Sequence, residues 1–371
     1  MTMLFSPYSL GPLELSNRIT IAPMCQYSAV DGLATDWHMI HLGSLALSGA
    51  ALITLEATAV VPEGRISPSD LGLWSDAHAD ALAPILAAMR RHSPIKIGIQ
   101  LSHAGRKAST NVPWEGGAQI APDAPNGWQT EGPSAVPHTE GDAAPLALDA
   151  PGLERVRDSF VAAARRAHAL GFDAIELHGA HGYLLHQFLS PLANHRTDAY
   201  GGSLENRMRF PLRVAAALRD AWPRTKALGA RFNGSDWVEG GITTDEAVAF
   251  GRALHDLGYD FLHLTSGGNV AVAKIPGDQP GYQLPFAAAV KAAIPDTVVI
   301  AVGMIVDPHQ AEAIVASGEA DAVGVARVVL DNPNWPHHAA LALGAPEDLP
   351  KPYERAGKGF WPGFDRAHAA V

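Results

Sequence analysis

Asp173-Ala-Ile-Glu-Leu177 leads directly into His178-Gly-Ala-His-Gly-Tyr183. Upstream, Leu153, Val156, Phe160, Ala163, Ala167 and Leu170 recur at helical spacing, and Gly171 stands where a C-terminal cap is expected. A helix feeding a short strand is the unit that repeats along this chain. Working outward, strand candidates are Arg18–Ala22, Ala51–Glu56, Lys96–Leu101, Asp173–Leu177, Ala227–Phe232, Tyr259–Leu264, Thr297–Ala301 and Asp321–Val325. Amphipathic stretches separate them as far as about Ala340. Eight strand–helix alternations predict parallel strands joined by crossover helices. A closed (β/α)8 TIM barrel is the simplest solution for that number. A doubly wound sheet is the rival, but no G-x-G-x-x-G follows the first strand.

At 371 residues the chain falls within the range of a single barrel domain spanning residues 1–371. The 47% hydrophobic and 18% charged residues describe a globular chain with a large core. A formal net charge of −11 argues against non-specific nucleic-acid binding and against docking on an anionic membrane. Cys25 is the only cysteine, which excludes an internal disulfide and a Cys-ligated iron–sulfur cluster. The opening residues lack the basic and long apolar regions of a signal peptide. The most apolar stretch, Gly43 to Val61, contains Ser44, Ser48 and Glu56 and reads as a buried helix running into a strand. The expected location is the cytoplasm.

Three segments break the rhythm. Tyr8–Asn17, with a Gly-Pro turn, predicts a hairpin closing the barrel bottom. Residues 108–150 are rich in Pro and Gly, include Trp114 and Trp128, and follow the third strand. So long a connection without periodicity is read as a lid over the active site, the alternative being a disordered insert. The tail from about 352 to 371 is too short for a domain.

Period-2 geometry decides which side chains face inward. Ile97, Ile99 and Leu101 share one face of the third strand, and Ile175 and Leu177 one face of the fourth. Gln100 and His178 then project into the barrel near its C-terminal mouth, and Gly229, Arg231 and Asn233 share a face of the fifth strand. Barrel interiors are normally filled by branched apolar residues, so polar strand ends suggest a site. His178 and His181, with Tyr183 two residues on, admit three readings. They are metal ligands lacking a third partner, hydrogen-bonded core histidines, or donors that polarise a carbonyl while Tyr183 delivers a proton. Ala22-Pro-Met-Cys25-Gln-Tyr27 leaves the first strand, where a buried Cys is either a small hydrophobe or a contact tuning a cofactor. His103-Ala-Gly-Arg106-Lys107 adds positive charge at the same mouth. Ala301-Val-Gly303-Met304 and Val325-Ala326-Arg327 leave the last two strands, where barrels often hold a phosphate.

With these residues in place, the chain resembles the Old Yellow Enzyme family, in its bacterial thermophilic-like ene-reductase branch. The matching segments are Asn17-Arg-Ile-Thr-Ile-Ala-Pro-Met-Cys-Gln-Tyr27, Glu56-Ala-Thr-Ala-Val60, Ile99-Gln-Leu-Ser-His-Ala-Gly-Arg-Lys107 and Glu176-Leu-His-Gly-Ala-His-Gly-Tyr-Leu184. Asn194-His-Arg-Thr-Asp-Ala-Tyr-Gly-Gly-Ser-Leu-Glu-Asn-Arg207, Ala301–Met304 and Arg327 continue the match in order.

The resemblance implies an FMN-dependent ene-reductase that takes hydride from NADPH (NADH being the alternative reductant) and reduces activated alkenes in a ping-pong cycle. It implies that Ala22, Pro23, Met24, Cys25, Ala57 and Gln100 hold the isoalloxazine ring, with Arg231 near its N1/C2 edge. Gly303, Ala326 and Arg327 would take the phosphate. His178 and His181 would bind the substrate carbonyl, Tyr27 would help to hold the substrate, Tyr183 would donate the proton, and Cys25 would adjust the flavin. A homodimer or homotetramer is implied, with Arg355 of Tyr353-Glu-Arg355 fitting a motif that reaches into a neighbouring subunit's site. Three features depart from the branch. Ala326 stands where Gly is frequent, Val302 where some relatives carry Trp, and the tail continues through Phe360 and Trp361 to Val371.

Overall fold

A computed structural model describes residues 2–346 and 348–368; the last three residues of the tail lie outside them. β1 (Tyr8–Leu10) and β2 (Leu13–Leu15) form an antiparallel hairpin. The barrel strands are β3 (Ile19–Ile21), β4 (Leu52–Ala59), β5 (Lys96–Ser102), β8 (Ala174–Gly179), β9 (Ala227–Asn233), β10 (Phe261–Thr265), β11 (Val298–Val302) and β12 (Ala322–Val325). They pair in parallel, in that order, and close into one barrel. Two short strands, β6 (Glu131–Gly132) and β7 (Leu146–Ala147), lie between β5 and β8. Each of the eight strand candidates overlaps one barrel strand.

The helices are α1 (Asp36–Ala46), α2 (Asp76–His92), α3 (Ala150–Ala169), α4 (Leu184–Leu189), α5 (Leu204–Ala221), α6 (Thr244–Asp256), α7 (Leu284–Ala293), α8 (Pro308–Ser317), α9 (Arg327–Asp331), α10 (Trp335–Ala342) and α11 (Phe364–Ala367). Among the described residues no helix is long and apolar enough to cross a membrane.

One local device recurs where helix gives way to strand. Gly171, Gly258 and Gly318 end α3, α6 and α8 in the left-handed region, at φ +81°, +85° and +77°. Glycine reaches that conformation without a steric penalty. Asp173, Asp260 and Asp321 follow, each just before a strand. Their carboxylates accept the N–H of Ile97 at 2.9 Å, Leu228 at 2.8 Å and Val299 at 2.8 Å. Each aspartate therefore satisfies a donor at the start of the preceding barrel strand and sets the register of the pair.

Packing then divides the barrel. Ile97, Ile99, Leu101, Ile175, Leu177, Leu228 and Phe232 face the helices and merge into the main core. Below, Leu52, Ala174, Phe261, Ile300 and Ala322 fill the interior and meet Tyr8, Leu10 and Leu15 of the hairpin, which stops the bottom. Above them the interior turns polar.

Residues 108–150 have defined structure, though little of it is regular. A helical turn covers Pro113–Glu115. The Trp128 indole N–H donates to the Glu63 carbonyl at 2.9 Å, and the Arg65 guanidinium lies 5.0 Å from the Trp128 ring centroid. The Arg106 guanidinium donates to the carbonyls of Val136 and Pro137 at 3.3 Å. The backbone bonds of this segment run mostly between its own loops, as from Asn111 to Ala118, Ile120 to Ser109 and Leu146 to Thr130, and not along a helix or strand, which is why no period is visible in its sequence.

Asp173→Ala strands the Ile97 N–H. It is expected to lower unfolding stability by about 1–3 kcal/mol, read as a lower urea midpoint at unchanged m-value.

Candidate active site

Parallel pairing gathers the polar strand ends. Gln100 stands opposite Glu176, and His178 and His263 stand on either side of Arg231. Gln100 Nε2 donates to Glu176 Oε1 at 2.6 Å, and His263 Nδ1 donates to Glu176 Oε2 at 2.8 Å. All are buried. Burial alone would raise the Glu176 carboxyl, but the His263 ring, the Arg231 cation and Gln100 outweigh it and hold the group below the usual range. Burial draws Arg231 down, with Glu176 opposing, and a guanidinium has enough reserve to keep its charge. Its Nε is buried and has no hydrogen-bond partner among the described residues. Sequence reasoning misses Glu176 and His263 as site residues. The signal is the same period of two, which puts Glu176 on the face of His178 and His263 midway along Phe261–Thr265.

A bulge in β4 adds a second feature. Leu55 pairs with Ile99 but Ala57 pairs with Gln100, so Glu56 is the extra residue. Ala57 thereby stands beside Gln100. Glu56 turns under the next loop, where Oε2 accepts the Gln26 N–H at 2.6 Å and Oε1 accepts from His38 at 3.0 Å. This fixes the stretch after β3, whose Ala22 N–H bonds to the Val325 carbonyl at 2.8 Å and which holds Pro23 and Met24 half-buried. The Tyr27 phenol packs beside the Cys25 thiol. Burial, then Asp70 and Glu56, push the Cys25 thiol well above its ordinary value, so it stays protonated. Cys25, Tyr27 and Tyr183 pack with Trp128 against Ile66, Ala104 and Ala108, and Trp114 meets Tyr27 edge-on at 5.9 Å.

Beyond β8 the chain turns through two left-handed residues, His181 at φ +58° and Gly182 at φ +74°. The His178 ring centroid lies 5.2 Å from that of His181 and 4.9 Å from that of Tyr183, with the rings near perpendicular. His178 Nδ1 accepts the Ala180 N–H at 3.2 Å, which fixes its proton on Nε2. His181 Nε2 lies 2.9 Å from Thr265 Oγ1, and that hydroxyl donates onward to Gln283 Oε1 at 3.1 Å. The His181 N–H is therefore engaged by Thr265, whereas His178 Nε2–H has no hydrogen-bond partner among the described residues. Burial, then the Arg231 cation, lower both imidazoles well below 6.5, and burial raises the Tyr183 phenol well above 10. At neutral pH the trio is two neutral rings and a protonated phenol. Among the described residues no group of three metal-ligating side chains forms.

Gly303 follows β11, and Ala326 and Arg327 follow β12. Val302 pairs with Gly324, so the two loops leave the barrel side by side. Arg327 opens α9 and is exposed. Arg355 is not brought to this mouth. It lies on the helical turn Lys351–Ala356, whose Lys351 and Glu354 line a cavity with Asn17, Ala51 and Ile95 at the starts of β3, β4 and β5.

The donors suit a planar, hydrogen-bonding group with an anionic edge. Arg231 offers a buried donor with nothing to bond, Gln100 and Ala57 stand together at the barrel mouth, and the paired loops end on an exposed arginine.

Residues 3–344 match the family described as NADH:flavin oxidoreductase / NADH oxidase. An NADPH dehydrogenase of Geobacillus sp. (strain WCH70) is 42% identical over 356 residues, covering 95% of this chain and 98% of the relative. An NADPH dehydrogenase of Clostridium acetobutylicum is 40% identical over 357 residues, covering 95% and 99%. The structure of morphinone reductase in complex with tetrahydroNAD aligns with TM-score 0.75 and 29% identity over 94% of this chain and 93% of that one. A 2-naphthoyl-CoA reductase complex aligns with TM-score 0.82 and 26% identity over 94% of this chain, which spans 53% of that protein. The chain belongs to the NADH:flavin oxidoreductase / NADH oxidase family, to which the Old Yellow Enzymes belong, and is an oxidoreductase with FMN as cofactor and a nicotinamide dinucleotide as reductant.

Proposed function

We propose that this enzyme reduces the C=C bond of α,β-unsaturated carbonyl compounds such as enones, enals and maleimides, in a ping-pong cycle driven by NADPH. The observation that carries the reading is the clustering of the His178, His181 and Tyr183 rings next to Arg231, whose buried Nε has no hydrogen-bond partner among the described residues. Ala22, Pro23, Met24, Cys25, Ala57 and Gln100 would hold the FMN ring, with Arg231 at its pyrimidine edge. Gly303, Ala326 and Arg327 would hold its phosphate. When bound, FMN supplies hydride to the β-carbon of the alkene.

The side chains supply the rest. His178 Nε2–H donates to the substrate carbonyl, and because the ring is neutral it polarises that oxygen without being a strong acid. The same oxygen competes with Thr265 for the His181 Nε2–H. As negative charge grows there, each preorganised donor is worth ~3 kcal/mol. Tyr183 keeps its proton at neutral pH, and delivering it to the α-carbon contributes about 10²–10⁴ in rate. Cys25 stays a thiol and acts as a contact that tunes the cofactor. Tyr27 packs beside it and helps to hold the substrate.

We further read residues 1–371 as one barrel domain, with 108–150 as its lid. Trp114 and Trp128 against the Tyr27 and Tyr183 cluster support the lid. The enzyme would act on small molecules in the cytoplasm as a homodimer or homotetramer. Arg355, exposed and away from its own chain's mouth, would serve a neighbouring subunit.

Anaerobic mixing tests the reading. NADPH should bleach the bound flavin and cyclohexenone should restore its colour; failure of the enone to do so sinks the proposal. Tyr183→Phe should slow that reoxidation by about 100-fold or more while leaving bleaching by NADPH nearly unchanged. A wild-type rate in this variant would assign the proton to another donor.

Acid pH gives a second check. Burial, then the Arg231 cation, lower both imidazoles well below their ordinary value, so they do not gain a proton at the pH where a free histidine would. Reoxidation by cyclohexenone should show no loss centred near 6.5, and such a loss would contradict the assignment of buried neutral donors.

A further inference from the structure

The turn that carries His181 and Tyr183 closes on one backbone bond, from the Tyr183 N–H to the Ala180 carbonyl at 3.1 Å, and its two central residues are held by side chains. The His181 N–H donates to Asn233 Oδ1 at 3.1 Å and the Gly182 N–H to His186 Nδ1 at 2.8 Å. Gln187 Nε2 donates to the Gly182 carbonyl at 2.6 Å, and Lys107 Nζ to the His181 carbonyl at 2.8 Å. All four backbone groups of two left-handed residues are thus met from outside the turn. Left-handed backbone is disfavoured for a residue with a Cβ, so His181 keeps it only while these bonds hold.

Lys107 stands apart among the four. Its ammonium also grips the Gly268 carbonyl at 2.7 Å and lies 5.1 Å from the Tyr183 ring centroid. The two segments cross closely here, since a Cβ on Gly182 would sit 2.3 Å from the Gly268 oxygen. Two carbonyl dipoles converge on one point and would repel each other without a cation between them.

We propose that Lys107 is a positioning residue for the carbonyl-binding turn, a cationic staple that holds the His181 carbonyl against that of Gly268 and so sets His181 and Tyr183 over the substrate. The proposal rests on the ene-reductase reading above. An ammonium has three donors and no lone pair, so it suits two carbonyls and a ring face together. A neutral amine points a lone pair into the same space and donates more weakly.

The surrounding groups leave Lys107 as the one whose charge changes in the alkaline working range. Burial, then the adjacent Arg106, bring its ammonium down to about 8. Burial brings Arg106 down to about 10, and burial, then Lys107 and Arg106, bring His138 of the 108–150 segment down to about 4. His178 and His181 lie well below 6.5 and Tyr183 well above 10, while Arg231 on β9 stays charged. Asp236, which lies behind His186, is held at about 2.

Stopped-flow reoxidation of the NADPH-reduced holoenzyme by cyclohexenone, from pH 6.5 to 9.5, tests this with Lys107→Met and Lys107→Arg. Wild type should lose rate with a midpoint near pH 8. Lys107→Met should be slower by about tenfold or more at pH 7, with FMN content unchanged. Lys107→Arg should recover most of the rate and move the alkaline loss upward by at least about one pH unit, because a guanidinium keeps its proton. A wild-type rate in Lys107→Met, or an alkaline loss that stays put in Lys107→Arg, overturns the proposal. If Lys107→Met does not retain FMN, the pH profile of Lys107→Arg decides alone. A wild-type enzyme that cyclohexenone cannot reoxidise at any pH is a different result, and refutes the ene-reductase reading itself.

Discussion

The Glu176 carboxylate lies inside the barrel between a glutamine amide, a histidine ring and an arginine, and the polar half of the interior is arranged around its charge. A buried ion costs several kcal/mol unless it is hydrogen-bonded and balanced. Gln100 and His263 supply the two close hydrogen bonds, and Arg231 supplies the opposite charge. Because Glu176 is already satisfied by these neighbours, Arg231 is balanced without being consumed, and its Nε remains free for something other than protein. The same cation then helps to keep His178 and His181 neutral. One carboxylate on β8 thus conditions the Arg231 guanidinium and, through it, both imidazoles.

The barrel separates stability from chemistry along its axis. At the bottom, Phe261, Ile300 and Leu52 pack against the hairpin, and a dry apolar plug fills the channel. At the top, the strand ends carry amides, imidazoles and a guanidinium whose unused donors need a ligand. The loops above have to be held still without regular structure. Side chains do this in the turn after β8, and the Trp128 and Arg106 contacts do it for the segment after β5. The Glu56 bulge belongs to the same scheme, since it trades one residue of register for a carboxylate that fixes the loop carrying Cys25.

Much of this is legible in the sequence. Strand and helix periods are local, so the eight alternations and the inward set of Gln100, His178 and Arg231 could be counted along the chain. Gly171 marked a helix end for the same reason, and its repetition with Asp173, Asp260 and Asp321 was available as a pattern although each partner strand was not. The His178, His181 and Tyr183 spacing marked chemistry but admitted metal, structural and catalytic readings, because spacing alone says nothing about what stands opposite.

The sequence by itself determined the alternation, the barrel and the polarity of its mouth, because those follow from side-chain period and from which residues tolerate burial. Tertiary structure alone decided which donors are free. Thr265 engages His181, the β4 bulge moves Ala57 beside Gln100, and Lys107 meets a carbonyl 74 residues away. Each of these depends on barrel closure, which brings together groups that no local period relates, and a hydrogen bond between them exists only once the strands are in register.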